Sequence, residues 1–211
     1  SVQAVFSVCG IVGKGITINT SYTLSRSTDQ SSSGGFGGGG GFASQTAGRV
    51  LNADGRSVSD FDRRHQLLAT VTLPIHKGFE ITAIGRATSG APYTPSVSGD
   101  INADGSRNDR AFIFDPATAS DPALAAAMDA LLENASGRVR DCLEGQLGRI
   151  AKRNSCRGPW QPSFDLQLNW KPSGWGFNQR LTISLLTSNL LAGLDQLFHD
   201  DDHLHGWGQF S

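Results

Sequence analysis

Three clusters of side chains have the types and spacing that chemistry requires. In the first, Asp100, Asn102 and Asp104 stand at alternate positions ahead of Gly105. This matches the first half of a calcium loop of D-x-N-x-D-G type, in which alternate oxygens converge on one cation and glycine permits the sharp turn. The twelfth position, where a bidentate acid belongs, is Ala111. Calcium there would draw its later oxygens from Asn108 or Asp109 and depart from EF-hand geometry. The same residues also suit an Asx/Gly turn closed by its own side-chain hydrogen bonds. Calcium is the one cofactor the sequence suggests.

The second cluster is His199, His203 and His205 with Asp200, Asp201 and Asp202. Imidazole and carboxylate suit zinc or a similar ion, but no scaffold is expected around them, and polar loops of this composition are ordinarily solvated. The third is Asp62, Arg63, Arg64 and His65. On a strand, alternate members would face one side and pair with neighbours, so structural ion pairing is the expectation. No Ser/His/Asp or Cys/His arrangement can be assembled, because hydroxyls and carboxylates are scattered over loops. The run Gly37 to Gly41 lacks the following Lys-Ser/Thr and the helix of a phosphate loop. The chain is therefore expected not to be an enzyme, with no catalytic residues.

Three cysteines leave one over. Cys142 and Cys156 would close a loop of about 15 residues, worth about 3 kcal/mol on the chain-entropy model, and would imply an oxidising compartment. Spacing alone does not separate that pairing from two free thiols. Cys9, at a strand end, reads as a small buried residue.

The elements that must position these residues are strands. Leu67, Ala69, Val71, Leu73 and Ile75 fall at every second position, as do Phe79, Ile81 and Ala83, which puts each set on one face of a hairpin turning at His76-Lys77-Gly78. Val2 to Val8 alternates likewise. In the next run Ile16, Ile18, Thr20, Tyr22 and Leu24 oppose a wholly polar set. Phe164, Leu166, Leu168 and Trp170 oppose Asp165, Gln167 and Asn169, and a tight turn at Lys171 to Gly174 leads to Leu181, Ile183 and Leu185. Between strands, the Gly/Ser-rich stretch at 27–59 is too apolar-poor to fix itself. The connection at 96–161 should hold one helix after Pro122, with Leu124, Met128, Leu131 and Leu132 on one side, and a second across Leu143 to Lys152. After Leu191 no further strand is expected.

With 211 residues and a formal net charge of −1, no basic field favours nucleic acid. No apolar run approaches the roughly 20 residues of a transmembrane helix, but barrel strands are only half apolar. The first residues carry no basic leader, so the chain is expected to begin in mid-protein. Loop lengths are more informative. They run short, long, short, long, short, as in an outer-membrane barrel with short periplasmic turns and long external loops. Trp170, Trp175 and Phe177 flank the last short turn, where an interfacial aromatic girdle belongs.

The segments YTLSRSTDQ, DFDRRHQLLATVTLP, SGAPYTPSVSGDINADGSRNDRAF, RNSCRGPW and LHGWGQ, in this order, resemble the C-terminal barrel portion of TonB-dependent outer-membrane receptors, most of all the Oar-like group. In that family a barrel of about 22 strands is plugged from within, and import is driven by TonB contacting an N-terminal box. The resemblance implies that plug, box and closing strand lie outside this chain. It also favours Cys142 to Cys156 as a structural disulfide in an extracellular loop.

The expected fold is thus all-β: an antiparallel transmembrane β-barrel segment of about six strands, an incomplete barrel with short helices in a long extracellular loop. It fills residues 1–211, with strands near 2–8, 16–26, 61–75, 79–94, 163–171 and 178–191 and long loops at 27–59 and 96–161. The implied setting is the bacterial outer membrane. The implied partners are outer-membrane lipid, the TonB complex through the N-terminal plug region, and an unknown extracellular ligand, with no nucleic acid. The implied role is ligand uptake or surface contact through loops and lumen. Two alternatives remain: a secreted calcium-stabilised β-sandwich adhesin, and a hydrolase on an all-β scaffold, for which no nucleophile and base converge.

Overall fold

The computed structural model describes residues 1–29, 56–76, 78–101, 103, 107, 109–172 and 181–199. In chain order the elements are β1 (Val2–Val12), β2 (Ile16–Arg26), β3 (Thr28–Asp29), β4 (Ser57–Val58), β5 (His65–Pro74), β6 (Phe79–Thr88), β7 (Pro92–Tyr93), β8 (Phe112–Ile113), α1 (Pro122–Asn134), α2 (Gly137–Glu144), β9 (Arg149–Ile150), β10 (Cys156–Arg157), β11 (Gln161–Trp170), β12 (Ile183–Thr187) and α3 (Leu190–Phe198). They form two compact units. One, which contains the six-stranded sheet, comprises Gln3–Ser25, Arg64–Ser89 and Trp160–Ser211; the other comprises Ser1–Val2, Arg26–Arg63 and Gly90–Pro159, and so takes in the long connections.

The sheet has six strands in the order β1-β2-β5-β6-β11-β12, antiparallel from β2 onward. Strands β1 and β2 have 11 residues, and β5, β6 and β11 have 10. That is the length that crosses a bilayer at a tilt. The register separates two faces. Ile18, Val71, Ala83, Leu166 and Thr187 form one cross-strand row, and Asn19, Thr70, Ile84 and Asp165 form the next, on the opposite face. The turn between β5 and β6 needs Gly78 twice over. Its φ is +83°, and a Cβ there would run into the Lys171 carbonyl.

Among the described residues, the buried apolar side chains are Ile113, Leu143, Ala151 and Cys156. All four lie in the loop unit, so the sheet buries no apolar side chain of its own. On its apolar face Phe6 is 63% exposed and Leu185 66%. A sheet with so much greasy surface left uncovered is not built to face water.

Several elements differ from the sequence-based expectation. The strand expected from 61 begins at His65, because Asp62 is drawn into a turn: its N–H donates to the Ser59 carbonyl and its carboxylate accepts from Ser27 N–H. The strand expected to reach 94 stops at Thr88. Gly90 and Gly158 cross so closely that a Cβ on Gly90 would meet the Gly158 carbonyl, and Pro92 and Tyr93 pair with Arg157 and Cys156 instead. Helix α2 lies earlier than Leu143 to Lys152, since the chain turns at 145–148 with Gly148 at φ +72°. β1 runs on through Cys9, which is exposed and not buried. β12 ends at Thr187, short of the expected 191, and helix α3 begins at Leu190. The Gly/Ser-rich residues 30–55, together with Lys77, Trp175 and Phe177, lie outside the described residues.

Candidate functional site

In the loop unit a small core forms where Ile113, Leu143 and Ala151 meet Met128, Leu132, Val139 and Leu147. Of the predicted helical stripe, Met128 and Leu132 turn inward, whereas Leu124 and Leu131 stay exposed. Helix α1 forms here because Asp121 caps it, accepting Ala123 N–H at 2.8 Å, with Pro122 in the first turn. Arg140 of α2 closes the other end, donating to the Leu132 and Glu133 carbonyls at 2.7 and 2.8 Å.

The residues that fasten the unit together lie between Ala151 and Arg157. Cys156 is joined to Cys142 of α2, Cα to Cα 5.6 Å, and the Gln146 amide packs over the bridge, donating to the Cys142 carbonyl at 3.0 Å. Arg153, with its side chain almost fully buried, pairs with Asp29 at 2.7 Å. The Asn154 amide donates to the Val58 carbonyl and to Asp60, and its N–H to Thr94 Oγ1 at 2.8 Å. Arg157 pairs with Asp62, whose side chain is 1% exposed. One short segment of the second long connection therefore holds both ends of the first. Each buried polar group in it has a partner, without which burial would cost free energy.

The sheet carries two surfaces of different chemistry. On the polar face Arg86 pairs with Asp165, Thr72 Oγ1 lies 3.1 Å from Thr82 Oγ1, and Asn169 links Glu80, Gln167 and Ser184. On the apolar face Phe6, Tyr22, His65 and Trp160 stack in sequence, with centroids 6.5, 6.1 and 6.0 Å apart. Tyr22 Oη and His65 Nδ1 are hydrogen-bonded at 2.7 Å. At the other end Phe79 stacks on Trp170 at 5.6 Å. Trp160 and Trp170 are ten residues apart along one strand line. Ten residues rise about 33 Å, which a tilt of about 40° reduces to about 25 Å, the height of the apolar band between aromatic girdles.

The sequence-predicted site residues fare differently. Asp100 is exposed, while Asn102, Asp104 and Gly105 lie outside the described residues. Asp109 is buried, and its carboxylate accepts Ile101 N–H, folding back on its own loop. Asp62 and His65 do not share a strand face: Asp62 belongs to the loop unit and His65 opens β5. Arg63 donates to the Asp60 and Asp62 carbonyls. His199 pairs with the fully buried Asp195, one helical turn earlier, at 3.0 Å; residues 200–211, with His203, His205 and the three aspartates, lie outside the described residues. Among the described residues no group of three or more His, Cys, Asp or Glu is placed to hold a metal ion. Sequence reasoning missed Arg153, Asn154 and Asp195. The one available signal was their position beside Cys156 and on the inner side of an amphipathic stretch.

A family profile described as an outer membrane beta barrel domain matches residues 10–173. A search of curated proteins and a search of solved structures each found no match.

Proposed function

The chain belongs to the outer-membrane β-barrel domain family, and from that premise we propose that it is part of a TonB-dependent receptor of the Oar-like kind. In this reading it takes up a ligand, or holds one at the cell surface, with its long loops and lumen side chains. A protein of this family resides in the bacterial outer membrane. Its apolar sheet face meets lipid, its polar face lines the lumen, and its long connections lie outside. The observation that carries a binding role is the loop unit itself. Among the described residues of that unit the connections pack together and are braced by a disulfide, which is more than a passive wall needs. Loops held on a rigid scaffold are where binding residues concentrate.

The TonB contact would be made by an N-terminal plug of the longer protein, and the chain itself would carry no catalytic step. The β-sandwich adhesin needs a second sheet against the apolar face. Among the described residues Phe6, Val8 and Leu185 of that face are more than 60% exposed, which favours lipid as the covering phase.

The test is genetic. A strain lacking the parent gene is grown on a panel of nutrients, beside a strain lacking TonB. Loss of growth on a nutrient in the first, reproduced in the second, is the expected result. A deficit that persists unchanged when TonB is supplied or removed independently would sink the TonB reading while leaving the barrel in place.

A further inference from the structure

Strand β12 leaves its ladder early. Its last pair is Thr187 with Leu166, whereas β11 continues beside β6 for five more residues, to Gln161. At Asn189 the backbone turns into the left-handed region, φ +51°, and α3 begins at the next residue. Asn189 N–H donates to Asp165 Oδ1 at 2.8 Å, and Asp165 sits on the polar face, paired with Arg86. The chain therefore steps off the sheet on its polar side.

The depth of that step matters. Asp165 is five residues from Trp160 and five from Trp170, so it lies midway between the two aromatic bands. Backbone outside the ladder at that depth is tolerated only where protein or a water-filled lumen surrounds it. Helix α3 packs on β11 and carries the fully buried Asp195 against His199, a pair that hydrocarbon would not accommodate.

We propose that α3 is an inward-folded helix that narrows the barrel lumen at mid-span, tethered to the wall through Arg86, Asp165 and the Asn189 N–H. This rests on the barrel and is independent of the TonB reading. Solute crossing the lumen passes α3, and the exposed side chains of its last turn, Leu197 and Phe198, are the ones it meets.

The test uses the full-length protein in outer-membrane vesicles, with Cys9→Ser as background. Spin labels are placed at Leu197→Cys on α3 and at Leu185→Cys on the lipid-facing side of β12, and each is relaxed by oxygen or by a water-soluble nickel chelate. The label at 197 is expected to be relaxed mainly by nickel and the one at 185 mainly by oxygen. Oxygen-dominated relaxation at 197 would overturn the proposal. With the label at 197, Asp165→Ala, which frees the Asn189 N–H, should raise label mobility relative to Asp165→Asn, which keeps an acceptor for Asn189. Equal mobility in both variants and the parent would also overturn it. Should Asp165→Ala fail to fold, the labels decide alone.

Discussion

Arg157 reaches from the second long connection to the carboxylate of Asp62 in the first, and there meets a side chain that is 1% exposed. Asp62 also accepts Ser27 N–H, so three segments that are far apart in sequence share one buried anion. Removing one partner of such a pair leaves the other buried and unpaired, which costs about 3–5 kcal/mol. Arg157→Met should therefore loosen the loop unit while the sheet persists. Limited proteolysis of membrane-inserted protein would show new cuts between residues 26 and 63. Unchanged protection of that stretch would contradict the assignment.

The disulfide gives a second expectation. Cys142 and Cys156 are 14 residues apart, and closing a loop of that size is worth about 3 kcal/mol. Cys142→Ser with Cys156→Ser, or reduction of the parent, should lower the melting temperature of the helical signal from α1 and α2. The heat-modifiable gel shift of the barrel should not move. Loss of both together would mean that sheet and loops unfold as one.

Gly78 gives a third. Gly78→Ala combines a positive φ with a Cβ driven into the Lys171 carbonyl, and strain of this kind costs about 1–3 kcal/mol. The expected outcome is a lower yield of inserted, heat-modifiable protein. A yield equal to that of Gly10→Ala, where a Cβ meets nothing within 4 Å, would rule it out.

The aromatic bands are open to a direct depth measurement. Trp160 and Trp170 should be quenched most by lipids brominated near the headgroup and least by those brominated near the chain ends. Trp160→Phe and Trp170→Phe, made singly, assign the signal. Removing the Trp160 ring altogether should cost about 0.5–1.5 kcal/mol beyond its area, the worth of one aromatic contact, measured as a shift in urea midpoint in micelles.

Where the sequence was legible, local periodicity made it so. Ile16 to Arg26 alternates without a break, and β2 has those bounds. Pro122 and the apolar stripe after it announced α1. The loop unit was illegible for the opposite reason. Arg153 and Asp29 are 124 positions apart, and no local pattern says that one will reach the other. The same holds for His65, which read as one of a run of charges. It is placed by ring contacts with Tyr22, 43 positions earlier, and with Trp160. Boundaries failed where tertiary ties overrode alternation, at Asp62 and at Pro92.

The paired ends of the first long connection carry a consequence for change over generations. Strands β3 and β4 hold Asp29 against Ser57, and Arg153 and Asn154 fix the flanks from outside. Once a loop's ends are pinned, doubling its length costs only about 0.6 kcal/mol. A longer or shorter segment between those ends is thus tolerated without any adjustment in the residues that close it.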